Sequence, residues 1–584
     1  MKTRTLSNTL IYLAVLTTLT LNATANVFWN TSGTNDWHTA ANWNPDTAVP
    51  GASDIVIINN GGTAKISTAD AVSGRIEIGY KGGDGTLILD NHILTANDYL
   101  RMGFKAGKGT YVQSGSSSKL DMNNHNIFIA NNISSVSTIS IDAGVITNVS
   151  DMSCGCVGLG DLIINGGSFY SRVIYAGGDT WGGSNATGTI TLNSGTIENS
   201  WRSYIGYNGT GILNIKGGVM NNADHLYIAE NPGSTGTVTV TGGRLCTTNK
   251  SSYHIYLGNN GLGRLNVDGG EVIPHNLYLG YNAGAAGYLS LSNGIMHCSE
   301  IEIGENGTGY YTQSGGTNTA SWAFSAGHLS GSRGTVTLSG GLLSLERDVS
   351  IGRAGGSHGE VTVSGGLLRV GDQLRIGTFT NSYGKLTIDD GRVELTGLSL
   401  IIGNIGTGVC VMAGGVLTNM SDIIVGYAAG SQGTLTITGG KIANSGNDMV
   451  LGRDPAAAGN LIIQGSGADI NILRNLDCDN GSTNHLTFIL DGDPGAVSTI
   501  NCDSALLNNT NVTLEYKLGD DFHGLQRSEY TLIQASSIIY TSGCNFVDST
   551  IGGNFEINLS VDKKRLYLTQ KTGYPTTGAI IMIK

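Results

Sequence analysis

Charge, proline and cysteine are all scarce in this chain. Of 584 residues, 13% are charged and 7 are proline. The balance is acidic, with a formal net charge of −12. A weakly charged, acidic surface excludes a nucleic-acid partner, which needs basic patches against phosphate. Little proline beside much glycine excludes a collagen and a Pro-rich linker. Eight cysteines are too few for a disulfide scaffold in a chain this long. Cys154-Gly155-Cys156 is spaced too tightly for an ordinary metal knuckle and reads as a buried or bridged pair. No segment carries a long 3.6-residue apolar stripe with caps, so helix is not expected beyond the N-terminal segment.

Long apolar runs are missing too, with one exception. Met1 to Arg4 is a short basic stretch, Leu10 to Leu21 is mostly apolar, and Ala23-Thr24-Ala25 is an A-x-A cleavage signal. Residues 1–25 therefore read as a signal peptide of bacterial type, cleaved after Ala25. The run is short for a membrane span and no second one follows, so no transmembrane segment is expected after cleavage. Removing Lys2 and Arg4 takes the charge from −12 to −14. The expected location is secreted or associated with the cell surface.

Glycine is in excess: 89 residues, about twice the usual share. The glycines are periodic. "GTVTVTGG" begins at Gly236, "GTVTLSGG" at Gly334, "GEVTVSGG" at Gly359 and "GTLTITGG" at Gly433. Looser copies begin at Gly188, Gly211, Gly263, Gly287, Gly309, Gly384, Gly408 and Gly459, with degenerate ones at Gly109 and Gly85. Consecutive starts from Gly188 to Gly459 lie 22 to 27 residues apart, a mean near 25. Each unit reads as three short strands. In the first, Leu435 and Ile437 share one face, and Thr434 and Thr436 the other. Gly439-Gly440 turns the chain. A second strand follows, and then a third such as "DVSIG" ending at Gly352.

One such unit cannot bury its own apolar stripe, but a stack of them can. The expected fold is all-β: a parallel β-helix of about 25 residues per coil, right-handed because parallel crossovers favour that hand. Roughly sixteen coils at ~4.8 Å each would make a rod of about 75–80 Å. A β-propeller is the alternative, but its blades need four antiparallel strands and a longer repeat. Residues one coil apart become neighbours. Cys478 and Cys502, 24 apart, would then sit about 5 Å from each other, as a disulfide or as two buried thiols.

The ends differ from the middle. Residues 26–84 read as an N-terminal cap and first coils, 85–485 as the β-helix repeats, and 486–584 as a β-rich C-terminal cap. A solenoid needs such caps because its end coils expose strand edges. Trp29, Trp37 and Trp43 fall in the first segment and suggest either cap packing or a sugar platform. The pattern Trp37, Asn42-Trp43, Val49-Pro50-Gly51, Asp54, Val56 and Ile58 resembles the start of many secreted β-helix repeat proteins of environmental bacteria. The longer strands after Leu486, such as "HLTFILDG" and "NVTLEYKLG", are similar to the closing region of autotransporter-associated β-strand repeat proteins. The resemblance implies a passenger-like architecture more than a function. The chain lacks the C-terminal membrane barrel of a true autotransporter, and "TTGAIIMIK" is too short for a sorting tail. Release or non-covalent surface association is expected.

β-Helices also carry pectate-lyase-like and polygalacturonase-like chemistry, which needs paired carboxylates, or clustered acids with a basic residue, in a walled groove. Asp389-Asp390, Asp477 to Gly481, and Asp520-Asp521 with His523 all read better as solvated turns; the second has some calcium-like alternation of oxygens. His254, His275 and His297 are about one coil apart and could form a metal-binding edge column. HExxH and phosphate-loop motifs are absent. Steps of 22 to 27 residues leave no room for groove walls. The less regular coils of residues 109–188 are the best place for a pocket. No catalytic residue, metal site or cofactor is assigned.

One surface feature stands out. Tyr204, Tyr227, Tyr256 and Tyr278 precede inward-facing Ile205, Ile228, Leu257 and Leu279, so they face outward in register, with Glu302 next. Four rings at ~4.8 Å would form a flat strip. It serves either as a ladder that stabilises its strands or as a binding strip. The function expected is an extracellular structural or adhesive element making weak multivalent contacts with glycans or cell-surface components. The alternatives are a polysaccharide lyase or hydrolase, and a carbohydrate-binding protein without chemistry.

Overall fold

The computed structural model describes residues 25–247, 253–478, 483–490, 497–507, 512–518, 529–540, 545–548 and 555–570. The signal segment up to residue 24, Asp520-Asp521 with His523, and "TTGAIIMIK" lie outside them. The chain forms a parallel β-solenoid of about 19 turns with about 25 residues per turn. At ~4.8 Å per turn the rod is about 90 Å long. It exceeds the expected sixteen coils because the end coils lack the glycine signal. Among the described residues the only helix is a single 3₁₀ turn, Ala40–Asn42.

The glycine period sets the register. Gly188, Gly211, Gly236, Gly263, Gly287 and Gly309 pair in succession up the first-strand ladder. Gly334, Gly359, Gly384, Gly408, Gly433 and Gly459 continue it. Glycine is required there by space. A Cβ on Gly236 would lie 2.1 Å from the Ile205 carbonyl oxygen, inside any real contact. The alternating residues do the burying: Leu435 and Ile437 are fully buried, as are Ile255, Leu257, Leu277 and Leu279 on the third strand. One continuous apolar core runs the length of the rod.

The N-terminal segment joins the solenoid at once. Asn26–Trp29 pairs in parallel with Ile55–Ile58 and antiparallel with Trp43-Asn44. Trp29, Trp37 and Trp43 are at most 2% exposed and pack edge to face at 4.8 Å. That burial removes the sugar-platform reading. At the other end, parallel pairing continues past Leu486 through Glu529–Tyr540 and Asn545–Asp548. The antiparallel pair Phe555–Leu559 and Arg565–Gln570 then lies against Glu529–Tyr540.

Cys478 and Cys502 are not bridged to each other. The coil lengthens here. Ile470 pairs with Ile500, thirty residues on, and Cys502 pairs with Ala535, while Cys478 donates its backbone N–H to Leu506. A 24-residue spacing therefore misses the register. Cys154 and Cys156 are buried free thiols.

Candidate functional site

The third strand of each coil places one side chain on the outside of the wall. Stacked in register, these side chains make a column along the rod. It runs Arg101, Phe128, Ser153, Tyr175, Tyr204, Tyr227, Tyr256, Tyr278, Glu302, Ser325, Ser350, Arg375, Ile401, Ile424 and Val450. The column points away from the lumen, yet much of it is buried. Tyr204 and Tyr256 are 9% exposed, Glu302 is 1% and Ile424 is 0%.

The cover comes from the corner that follows. A residue with positive φ, glycine in most coils but not all (Ala229 is one exception), ends the third strand, and the residue after it turns back beside the column. These residues form a second ladder, including Glu230, Tyr281, His328, Arg353 and Tyr427. Each donates its backbone N–H to a corner residue one coil below, Tyr281 to Gly258 and Tyr427 to Gly403 among them. Between column and corner lies a second, outer layer of packing.

The four expected tyrosines do stack, at centroid spacings of 5.2, 4.9 and 5.3 Å with near-parallel planes. Tyr175 adds a fifth ring below, 5.1 Å from Tyr204. The strip is not a bare platform. Tyr207 packs edge-on against Tyr175 and Tyr204, and Tyr281 against Tyr256 and Tyr278. Tyr227 and Tyr278 stay half-buried. Burial favours the neutral phenol and pushes both up to about 12, so neither supplies a phenolate near neutral pH.

His225 and His254 stack beside this column at 5.1 Å, and His275 follows at 5.9 Å. His297 does not join them; its Nδ1 lies 2.7 Å from Thr319 Oγ1 on another wall. Asp389 and Asp390 are exposed in a bend, as a turn requires. Asp479 to Gly481 lie outside the described residues.

An open recess of about 620 Å³ lies partly in the less regular coils. Amides and hydroxyls line it (Asn124, Thr147, Asn148, Ser150, Ser171, Asn199) with Tyr170, Arg172 and Glu198. Tyr170 is 42% exposed, and so is the neighbouring Trp201, over which the Arg172 guanidinium lies 5.2 Å from the ring centre. Arg172 also pairs with Asp151 at 2.5 Å, and Asn221 donates to Glu198 at 2.8 Å. The lining holds a single carboxylate, whereas the usual glycoside hydrolysis uses two. Among the described residues, one group brings metal-ligand types together: Glu302, Glu305 and His328, with ligand atoms within 4.8 Å of one another. No known protein family, curated protein or solved structure matches the chain.

Proposed function

We propose that the chain is an extracellular structural or adhesive rod of the autotransporter-associated repeat kind, working by weak multivalent contacts. The observation that carries this reading is the unbroken register from Gly188 to Gly459, which repeats the same strand positions at every turn of a stiff solenoid. Repeat steps of 22 to 27 residues through these coils leave little room for the walls of a cleft, and a reaction needs its substrate held and water excluded. Incubation with a panel of polysaccharides, with and without calcium, tests it. The expected result is retention on some of them without new reducing ends or unsaturated products. Such products would instead support the lyase or hydrolase reading.

A second reading, glycan binding without chemistry, is favoured by the recess. Exposed aromatic faces beside amides and hydroxyls suit a sugar ring, with its apolar face and polar edge. Pull-down on insoluble glycans separates the two aromatic features. Binding lost in Tyr170→Ala/Trp201→Ala places it at the recess. Binding lost in the Tyr227/Tyr256/Tyr278 alanine triple places it at the stack.

A further inference from the structure

We propose that Glu302, Glu305 and His328 form a binding site for one divalent transition-metal ion, with zinc the best match. The three come from two successive coils. Glu302 stands in the outer column directly above Tyr278. Glu305 lies three residues on, in the corner. His328 is the corner residue one coil higher, with its backbone N–H on the Gly304 carbonyl at 3.0 Å.

Their ligand atoms converge. Glu302 Oε2, Glu305 Oε2 and His328 Nδ1 are all buried and make no hydrogen bond. They face one another instead: His328 Nδ1 touches Glu302 Oε2 and lies 3.9 Å from Glu305 Oε2. Buried carboxylate oxygens that meet only one neutral imidazole between them are expensive. The fold does not require one here, since the same column holds Tyr278 one coil below and Ser325 one coil above.

Charge points the same way. Glu300 adjoins Glu302 and accepts a 2.7 Å bond from Asn276. Arg353 is the neighbouring cation. Three carboxylates against one guanidinium leave two negative charges, which one divalent ion neutralises. One imidazole with two carboxylates suits zinc and its neighbours in the transition series. Calcium and magnesium prefer all-oxygen shells.

Arg353 makes the proposal specific. Its Nη1 lies 2.7 Å from His328 Nε2. A guanidinium only donates, so Nε2 accepts and the imidazole proton sits on Nδ1. Binding of the ion at Nδ1 moves that proton to Nε2, and Arg353 must swing away. Arg353 therefore competes with the metal.

The test uses the full chain without a histidine tag, stripped with chelator, equilibrated with zinc chloride and desalted. Elemental analysis should find close to one zinc per chain. Glu302→Gln and His328→Ala should each weaken zinc binding by about tenfold or more. Circular dichroism checks that both variants keep their strands. Arg353→Met should bind zinc more tightly than the parent. His254→Gln should leave zinc content unchanged, because the stacked histidines are a separate place. Zinc retained in full by His328→Ala, zinc lost in His254→Gln, or calcium bound in preference to zinc would each overturn the proposal.

Discussion

Two stretches of the outer column occupy the same place in the coil and solve the same problem differently. From Tyr175 to Tyr278 the column is aromatic, and its edges are closed by Tyr207 and Tyr281. From Ile401 to Val450 it is aliphatic, and Tyr427 alone packs across Ile401, Ile424 and Val450. The polar stretch between them begins at Glu302. The contrast teaches that "outward" on this strand does not mean exposed. The corner ladder sets the environment, and either chemistry fills it as long as it stacks.

The largest test breaks the corner on both sides of the comparison. Gly258 and Gly426 have φ of +67° and +79°, and a Cβ on them would lie 2.1 and 2.4 Å from the carbonyl oxygens of Ala286 and Ala458. Valine at either should cost on the order of 3 kcal/mol or more, read by chemical denaturation. Equal losses would show that one corner serves both halves. Ala229, with φ of +63° at the matching position, shows that one methyl group can be housed there.

The next test separates the halves. Ile424→Ala should cost about 3 kcal/mol, as a cavity in a sealed layer does. Tyr256→Leu keeps bulk but loses two stacked neighbours, and should cost about 1–2 kcal/mol. If the tyrosine change cost as little as a surface substitution, the aromatic half would not be a packed layer.

The smallest test is by pH and touches the aromatic half alone. Burial, then His225 and His275, lower the His254 imidazole to about 4. The unfolded chain takes up this proton below about 6.5, so folding excludes it. The stability His254 contributes is complete above about 6.5 and is lost as pH falls toward 4. The melting temperature should drop across that window, and His254→Gln should flatten the drop.

The sequence carried the inner wall more fully than the outer layer. Glycine spacing alone placed Gly188 to Gly459 in one ladder, because a backbone clash is a local and repeated constraint. Alternation placed Leu277 and Leu279 inward and Tyr278 outward for the same reason. Tyr175 escaped notice because its strand ends in Ala176 where the other four end in isoleucine or leucine. The edge cover by Tyr207 and Tyr281, and the meeting of Glu305 with His328, depend on how a corner folds back over the wall below. No strand period encodes that. The expected adjacency of Cys478 and Cys502 failed for the complementary reason: a mean period was applied where the coil had lengthened.

The in-register ladders also decide how the rod answers force. Hydrogen bonds between coils run along its axis, so a pull on the two ends loads each rung in tension, one coil at a time. The rod should lengthen in discrete events rather than yield as a whole. Each lost coil would release about 25 residues, or roughly 80–90 Å of chain. A tether built this way gives ground in equal steps while the remaining coils keep their shape.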